Sequence, residues 1–365
     1  MMSGTTRRTF VWSGLAASRL FAAGKGTSFP TDQVRYPDPL TSIEVFRLTS
    51  PEYATTLTAY YNRGISRNSA WMLCCSDRTG SPQGFHLDLK SGEMRQLTQA
   101  EQLDGATLTL LPDNRSFCYF AGPSLFIAPA AGGREREIYR IAEGWNRAGS
   151  MSVGPDGTHA TLVERKGETS RLRMIALAGG APRTVIEVQG VMTDPIPRPF
   201  RAQILYRQSA DAMWMVNMDG AQNRRLKLAV GGVGTPNWSN DGRTLLYLNF
   251  PEDKTQLNNL REFTPDTSTD KMIGKTSQFV SFGANRDSSV FAGASRNQAS
   301  PAVLLFVRTA HSERTLCEHK SRAEWVAPVF SPDSQRVYFQ SDRHGKLAIY
   351  CMHVERLVEK TDVEG

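Results

Sequence analysis

Residues 330–350 read FSPDSQRVYFQSDRHGKLAIY, and this stretch contains the phrase that decides the fold. An apolar residue is followed by a tight Ser-Pro-Asp turn, an apolar strand, a second turn and a second strand. The same phrase is present at 238–248 (WSNDGRTLLYL), at 153–157 (VGPDG) and at 110–120 (LLPDNRSFCYF). Weaker copies begin at Ile65, Phe200 and Phe282. Repetition of a short strand-and-turn unit predicts an all-β repeat protein.

The spacing of the copies indicates which kind of repeat this is. Their first apolar residues lie at 65, 110, 153, 200, 238, 282 and 330. A period of roughly 40–45 residues, with short strands and Pro-Asp or Asp-Gly turns, is typical of a four-stranded propeller blade. Each blade covers the sheet faces of its neighbours, and seven copies close one ring. The sequence therefore predicts a single seven-bladed β-propeller with four-stranded blades, rather than two β-sandwiches.

A propeller ring closes when a strand from one end of the chain joins the blade at the other end. Residues 43–49 (IEVFRLT) alternate between apolar and polar side chains, and we expect them to complete the last blade. The polar stretch 314–322 is expected to form a loop. The propeller is predicted to cover 41–356, between a linker at 25–40 and a polar tail at 357–365.

The N-terminal residues have the features of a targeting segment. Residues 6–11 read TRRTFV, a twin-arginine pattern, and an apolar run that is too short and too polar for a permanent membrane span follows it. We expect residues 1–24 to be a twin-arginine-type export signal, which implies a periplasmic or extracellular protein. The five cysteines form no CxxC motif and are expected to be buried thiols.

Composition and motifs exclude several classes of protein. Hydrophobic residues make up 40% and charged residues 22%, which is ordinary for a globular chain. The formal net charge of +7 gives a mild bias towards anionic partners, but no Lys/Arg block interleaved with aromatics predicts nucleic-acid binding. The six histidines show no HxH or HExxH spacing, and GxSxG and P-loop motifs are absent from the sequence.

The fourth copy contains two arginines of chemical interest. Residues 194–200 read DPIPRPF, which places Arg198 between two prolines on a stiff segment before a strand. That strand ends in Leu205-Tyr206-Arg207, which supplies the second arginine. Two fixed guanidinium groups near the channel would suit a carboxylated ligand, while solvated surface arginines are the alternative.

At these residues the chain resembles the oligogalacturonate lyases, seven-bladed propellers related to TolB-type, WD40-like repeats. Residues 194–200 resemble the HPIxRPF segment of that family, and residues 213–220 (MWMVNMDG) resemble its MWLVNxDG strand and turn. Residues 41–49 and 330–350 are similar to its opening strand and closing blade. The resemblance implies β-elimination on short galacturonate oligomers, a reaction of pectin degradation.

The resemblance also implies a site, which this chain does not retain. The family holds manganese with three histidines and a glutamine, and a separate histidine acts as the base. The metal-binding positions correspond here to Thr235, Arg322, Trp325 and Ala327. The base corresponds to Arg207, the histidine of HPIxRPF to Asp194, and the arginine of that motif is kept as Arg198. No metal cofactor is therefore expected.

Three functional hypotheses follow. In the first, the chain cleaves acidic sugars without metal. The substrate carboxylate is neutralised by Arg198, Arg207 and Arg322, and Asp194 contributes to binding. The base is an unprotonated arginine, Arg207, or Tyr206. In the second, it binds an anionic oligosaccharide without cleaving it. In the third, it is a structural propeller or one that binds a protein partner, with a role unrelated to acidic sugars.

Overall fold

The computed structural model describes residues 24–358, and these residues form seven antiparallel sheets arranged as the blades of a propeller. The predicted seven-bladed β-propeller is confirmed. Within this part of the chain no helix is long and apolar enough to cross a membrane. The predicted export signal, apart from Gly24, and residues 359–365 of the predicted tail lie outside the described residues.

The strands and helices follow the order of the repeat. An N-terminal arm contains β1 (Ser28–Phe29), β2 (Val34–Pro37) and β3 (Glu44–Arg47). Blade one contains β4 (Thr55–Thr56), β5 (Trp71–Ser76), β6 (Gln83–Asp88) and β7 (Met94–Gln96). A 3₁₀ turn at Gly105–Thr107 precedes blade two, which contains β8 (Thr109–Leu110), β9 (Ser116–Ala121), β10 (Ser124–Pro129) and β11 (Arg136–Arg140). Blade three contains β12 (Asn146–Arg147), β13 (Ser152–Val153), β14 (His159–Lys166), β15 (Thr169–Ala176) and β16 (Arg183–Gln189).

The remaining blades continue in the same way. Blade four contains β17 (Thr193–Pro197), β18 (Gln203–Ser209), β19 (Ala212–Asn217) and β20 (Arg224–Arg225). Blade five contains β21 (Gly232–Trp238), β22 (Leu245–Phe250), β23 (Asn259–Thr264) and β24 (Thr269–Lys275). Blade six contains β25 (Phe279–Ala284), β26 (Val290–Ser295), β27 (Ala302–Val307) and β28 (Ser312–Glu318). Helix α1 (Ala323–Val326) leads into blade seven, which contains β29 (Val329–Phe330), β30 (Arg336–Ser341) and β31 (Ala348–His353), and helix α2 (Glu355–Val358) follows.

The N-terminal arm closes the ring. Strand β3 pairs with β31 through Phe46 and Cys351, so the prediction that residues 43–49 complete the last blade is confirmed. Strand β2 adds to β3 as a fifth strand of blade seven, and β1 adds to β7 as a fifth strand of blade one. The stretch 25–40 is therefore part of the propeller rather than a linker. Its pairing joins the first blade to the last.

A hydrogen-bonded turn joins the innermost strand of each blade to the second strand. In blade five, the Ser239 amide donates to the Thr244 carbonyl at 2.9 Å, and the Ser239 hydroxyl accepts from the Thr244 amide at 3.0 Å. The Asp241 carboxylate accepts from the Arg243 amide at 3.0 Å. Serine and aspartate recur in the repeat because their side chains stabilise this turn locally.

The two weaker copies with aromatic first residues are out of register in the sequence alignment. Aligned by the same backbone hydrogen bond, the residues equivalent to Trp238 are Pro197 and Ala284, rather than Phe200 and Phe282. Phe200 lies instead within the turn, 78% exposed and with a φ of 57°. Blade four lacks the serine and aspartate of the phrase, so its sequence signal is weak.

The outermost strands are polar because one of their edges and much of one face meet solvent. Strand β28 (Ser312–Glu318) alternates between exposed and partly buried side chains before its buried end. The expectation of a loop at 314–322 is therefore wrong for its first residues, since polarity there reflects an edge strand. All five cysteines are buried and unpaired, as predicted.

Candidate functional site

The innermost strands surround the central channel and define two faces of the propeller. Each strand begins on one face, here called the start face, and ends at the turn described above, on the turn face. Strand β17 (Thr193–Pro197) shows the relation: Thr193 pairs with Arg207, and Pro197 pairs with Ile204. Asp194 and Arg207 therefore lie on the start face, whereas Arg198 lies in the turn at the opposite end.

Arg198 is a buried structural residue of the turn face. Its side chain is 1% exposed, and its guanidinium donates to both carboxylate oxygens of Asp266, at 2.9 and 3.1 Å. It also donates to the Gly242 carbonyl at 2.7 Å and to the Gln203 amide oxygen at 2.8 Å, and lies over the Trp238 ring. These bonds hold blade four to blade five and leave little of the guanidinium for a ligand.

Arg207 and Asp194 form an ion pair on the start face. The Arg207 Nε donates to Asp194 Oδ2 at 3.2 Å, and its Nη1 donates to the Ala210 carbonyl at 3.1 Å. The two side chains are 17% and 28% exposed, so the pair is accessible in part. The two positions where the family resemblance places histidines thus hold charges that neutralise each other.

Tyr206 points away from this pair because neighbouring residues of a strand face opposite sides. Its ring is fully buried in the core shared by blades three and four. Its hydroxyl donates to the Asn223 side-chain oxygen at 2.7 Å, and burial raises the pKa of Tyr206 to about 12. The structure therefore does not bring Tyr206 together with Arg207 at the channel.

Arg322 lies elsewhere on the start face, at the beginning of helix α1 (Ala323–Val326). Its guanidinium lies over the Trp325 ring, 4.8 Å from the centroid, and both side chains are exposed. Within residues 24–358 no carboxylate pairs with Arg322. A free cation beside an exposed aromatic ring can contact an acidic sugar through its charge and through the flat face of the ring.

Residues 57–63 form a loop within the innermost strand of blade one, which we call the channel loop. Thr56 still pairs with Cys75, and the ladder resumes where the Leu73 amide donates to the Gly64 carbonyl. Between these points the loop reaches other blades: the Asn62 side chain donates to the Met151 carbonyl at 3.0 Å. The loop lies in the central channel because its partners belong to different blades of the ring.

The channel loop carries two tyrosines to the Asp194–Arg207 pair. The rings of Tyr60 and Tyr61 meet edge to face with centroids 4.6 Å apart, and both pack against the apolar core of blades four and five. Burial, and then the negative charge of Asp194, raise the pKa of Tyr60 well above its ordinary value, and the same causes raise that of Tyr61. The sequence analysis did not single out either residue, although two adjacent aromatic residues between the start of blade one and its first turn are visible in the sequence.

Near the start face, three residues that lie in an innermost strand or just before one have an unusual backbone conformation. Asp194, Thr235 and Ala327 have φ values of 50°, 45° and 45°, in the left-handed region that disfavours side chains with a Cβ. The pairing register shifts at the first two, which is the mark of a β-bulge. Bulges and left-handed residues are concentrated at functional sites, where they re-aim a side chain.

Comparison with known proteins gives this arrangement a context. The chain is 23% identical to an oligogalacturonide lyase of Pectobacterium atrosepticum, over 90% of this chain and 98% of that protein. It is also 23% identical to an oligogalacturonate lyase of Dickeya dadantii, over 91% of this chain and 98% of that protein. The chain thus resembles the oligogalacturonate lyases over nearly its whole length. No family model matches it.

Solved oligogalacturonate lyases share the fold. One in complex with manganese superposes with a TM-score of 0.86 and 21% identity, covering 91% of this chain and 98% of its own. The lyase from Vibrio parahaemolyticus gives a TM-score of 0.85 at 21% identity, covering 91% of this chain and 99% of its own. The resemblance to oligogalacturonate lyases that the sequence predicts is therefore confirmed.

The residues at the aligned metal positions do not fit a manganese ion. Manganese binds carboxylate, imidazole and carbonyl donors. Here Ala327 has no donor atom, Trp325 offers only an N–H group, and Arg322 is a cation that would repel the ion. Among the described residues, no group of three His, Cys, Asp or Glu side chains is placed to hold a metal. Of the four aligned positions only Thr235 has a side-chain oxygen, and a single hydroxyl is not a ligand set for manganese.

Proposed function

We propose that this protein binds short acidic oligosaccharides of the galacturonate type on its start face, without manganese-dependent β-elimination. The oligogalacturonate lyases to which it is similar support the choice of ligand. The exposed Arg322 beside Trp325 supplies a cation for the uronate carboxylate and a ring for the sugar face. The proposed ligand needs no metal, since the carboxylate is met by arginine.

The observation that carries the proposal is the Asp194–Arg207 ion pair. β-Elimination needs a group that neutralises the uronate carboxylate and a base that removes the adjacent proton. Arg207 already donates to Asp194, and a guanidinium has no acceptor atom with which to take a proton. The neighbouring Tyr60 and Tyr61 have raised pKa values, so at neutral pH they remain phenols that donate hydrogen bonds.

A second candidate function is metal-independent elimination. It is favoured by one observation: Tyr60 lies near enough to Asp194 and Arg207, at the start of strand β17, for both charges to act on its phenol. For this chemistry the substrate carboxylate must displace Asp194 from Arg207, and a tyrosine must lose its proton against the cost of burial. The raised pKa values of the tyrosines make binding the better-supported function.

An elimination assay separates the two candidates. Protein lacking residues 1–23 is mixed with di- and trigalacturonate, with and without manganese, and the ultraviolet absorbance of the unsaturated product is followed. We expect no rise under either condition. A manganese-independent rise that disappears in Tyr60→Phe would establish the second candidate, and a manganese-dependent rise would contradict the proposal.

Calorimetric titration with trigalacturonate tests binding directly. We expect Arg322→Met to weaken binding about tenfold, because a charge-assisted hydrogen bond contributes roughly 1.5–3 kcal/mol. Arg314→Met is the matched control: Arg314 is also exposed, but it lies on the outer strand β28. If the wild-type protein gives no heat of binding, the acidic-sugar proposal is wrong and a protein ligand becomes the better hypothesis.

We also propose that the protein is exported already folded through the twin-arginine route. Five buried, unpaired cysteines suit a chain that folds in a reducing compartment before transport. The test is cell fractionation of the full chain in a bacterium that has this route. Replacing Arg7 and Arg8 by lysine should retain the protein in the cytoplasm, and export that is unaffected by this change would refute the proposal.

A further inference from the structure

The turn face carries a cluster of arginines at the opposite mouth of the channel. Arg63 ends the channel loop, Arg67 lies in the turn of blade one, and Arg286 lies in the turn of blade six. All three line a cavity of about 550 Å³, and the first two also line a neighbouring cavity of about 680 Å³. We call these residues the turn-face arginine cluster.

The cluster has no counter-charge of its own. Among residues 24–358, none of its three members forms an ion pair. The nearby aspartates of the turns are engaged locally: Asp156, which lines the larger cavity, accepts from the Thr158 amide and hydroxyl at 3.0 and 2.8 Å. Asp156 keeps its negative charge, but the smaller cavity is lined by all three arginines and by no carboxylate among the described residues, so positive charge collects around it.

Arg63 is the member that most needs a partner. Its Nη1 atom is buried and has no hydrogen-bond partner within the described chain. Burial, and then repulsion from Arg67, lower the pKa of Arg63 below its ordinary value. Buried donors in folded proteins almost always have an acceptor, so the Arg63 guanidinium has unsatisfied hydrogen-bonding capacity beside the cavity that it lines.

The walls around Arg63 combine amide groups with apolar surface. The side chains of Asn237 and Asn240 line both cavities and offer amide donors and acceptors. Apolar surface from Pro112, Pro155 and Trp238 lines the larger cavity. Ligand sites typically combine a mostly apolar wall with a few convergent polar groups.

We propose that the turn-face arginine cluster binds a small carboxylate, with the carboxylate oxygens on Arg63 and Arg67. Guanidinium and carboxylate match in a two-bond geometry, and the carboxylate would offset the positive charge of the two arginines. The site differs from the proposed sugar site in its arginines, which lie at the opposite ends of the innermost strands, although the smaller cavity also extends along the channel loop to Tyr60 and Ala327. The turn residues Arg286 and Asn240 sit at its rim.

Calorimetric titration with citrate tests this site. We expect binding by the wild-type protein at low ionic strength and a loss of at least about tenfold in Arg63→Met. The melting temperature of Arg63→Met should not fall, because the substitution also removes a buried, unpaired charge. If Arg63→Met loses binding because it unfolds, Arg67→Met tests the site instead. The Arg67 side chain is exposed and can be changed without disturbing the core.

Arg115→Met is the matched control, since Arg115 is exposed in the turn of blade two and lines neither cavity. Parallel titrations with D-galacturonate and neutral D-galactose show whether the carboxylate belongs to a sugar or to a free organic acid. No binding of citrate or galacturonate, or equal losses in Arg63→Met and Arg115→Met, would overturn the proposal. Loss in Arg322→Met instead of Arg63→Met would also overturn it, and would place the carboxylate on the start face.

Discussion

Two arginine–aspartate pairs lie at opposite ends of the innermost strand of blade four, one of them reaching across to blade five, and they serve different purposes. On the turn face, Arg198 is buried and donates to Asp266, to a glutamine and to a backbone carbonyl. On the start face, Arg207 and Asp194 remain partly exposed beside the channel tyrosines. The Arg198–Asp266 pair, in which all arginine donors are used, is therefore a structural clamp. The Arg207–Asp194 pair, which solvent still reaches, is part of the candidate site.

The largest effect is expected at the clamp. Arg198→Ala should lower the free energy of unfolding by about 2–3 kcal/mol, because it removes several charge-assisted hydrogen bonds and leaves the buried Gly242 carbonyl without this donor. Urea denaturation followed by circular dichroism measures the change. Arg243→Ala is the control, since Arg243 lies in the same region but is exposed. Equal stabilities of the two variants would mean that the clamp contributes nothing.

A smaller effect, on affinity rather than stability, is expected at the start face. Asp194→Asn removes the negative charge that neutralises Arg207 and should strengthen trigalacturonate binding by about threefold to tenfold. The unfolding free energy should change by less than about 1 kcal/mol, as for other partly exposed ion pairs. The gain should disappear in the double variant Asp194→Asn, Arg207→Met. Unchanged affinity in Asp194→Asn would show that Arg207 does not meet the ligand.

The stability that the Arg198–Asp266 ion pair contributes should depend on pH. The hydrogen bond from Arg198 lowers the pKa of Asp266 below its ordinary value. A carboxylate with a lowered folded-state pKa adds stability above its unfolded pKa, near ~4, and that stability is lost as the pH falls further. The difference in unfolding free energy between wild type and Asp266→Asn should therefore shrink below about pH 4. A constant difference across this range would contradict the assignment.

The smallest effect is expected when manganese is added or removed. Manganese should change neither the melting temperature nor the affinity for trigalacturonate, because Thr235 and Ala327 provide no suitable ligand set. Differential scanning fluorimetry with manganese, and with EDTA as the reverse condition, measures this. A melting temperature that rises with manganese concentration would reveal a metal site outside the aligned positions.

Sequence reasoning located the candidate site only in part. The alignment of Asp194, Thr235 and Ala327 with family histidines is matched by left-handed backbone at all three residues. The pairing of Arg198 and Arg207 in one site was wrong, because an antiparallel hairpin carries the two residues to opposite faces. Tyr206 was likewise placed on the wrong side of its strand, where alternation turns it into the core.

The sequence by itself determined the seven blades and the closing strand, because turn hydrogen bonds and strand alternation act between residues that are close along the chain. Only the tertiary structure decided which charges are paired and what fills the channel. The channel loop brings Tyr60 to Asp194, and Arg198 reaches Asp266, across separations that no local pattern encodes. Such contacts depend on how the blades are arranged around the ring, and their burial decides whether an arginine stabilises the fold or remains free to bind.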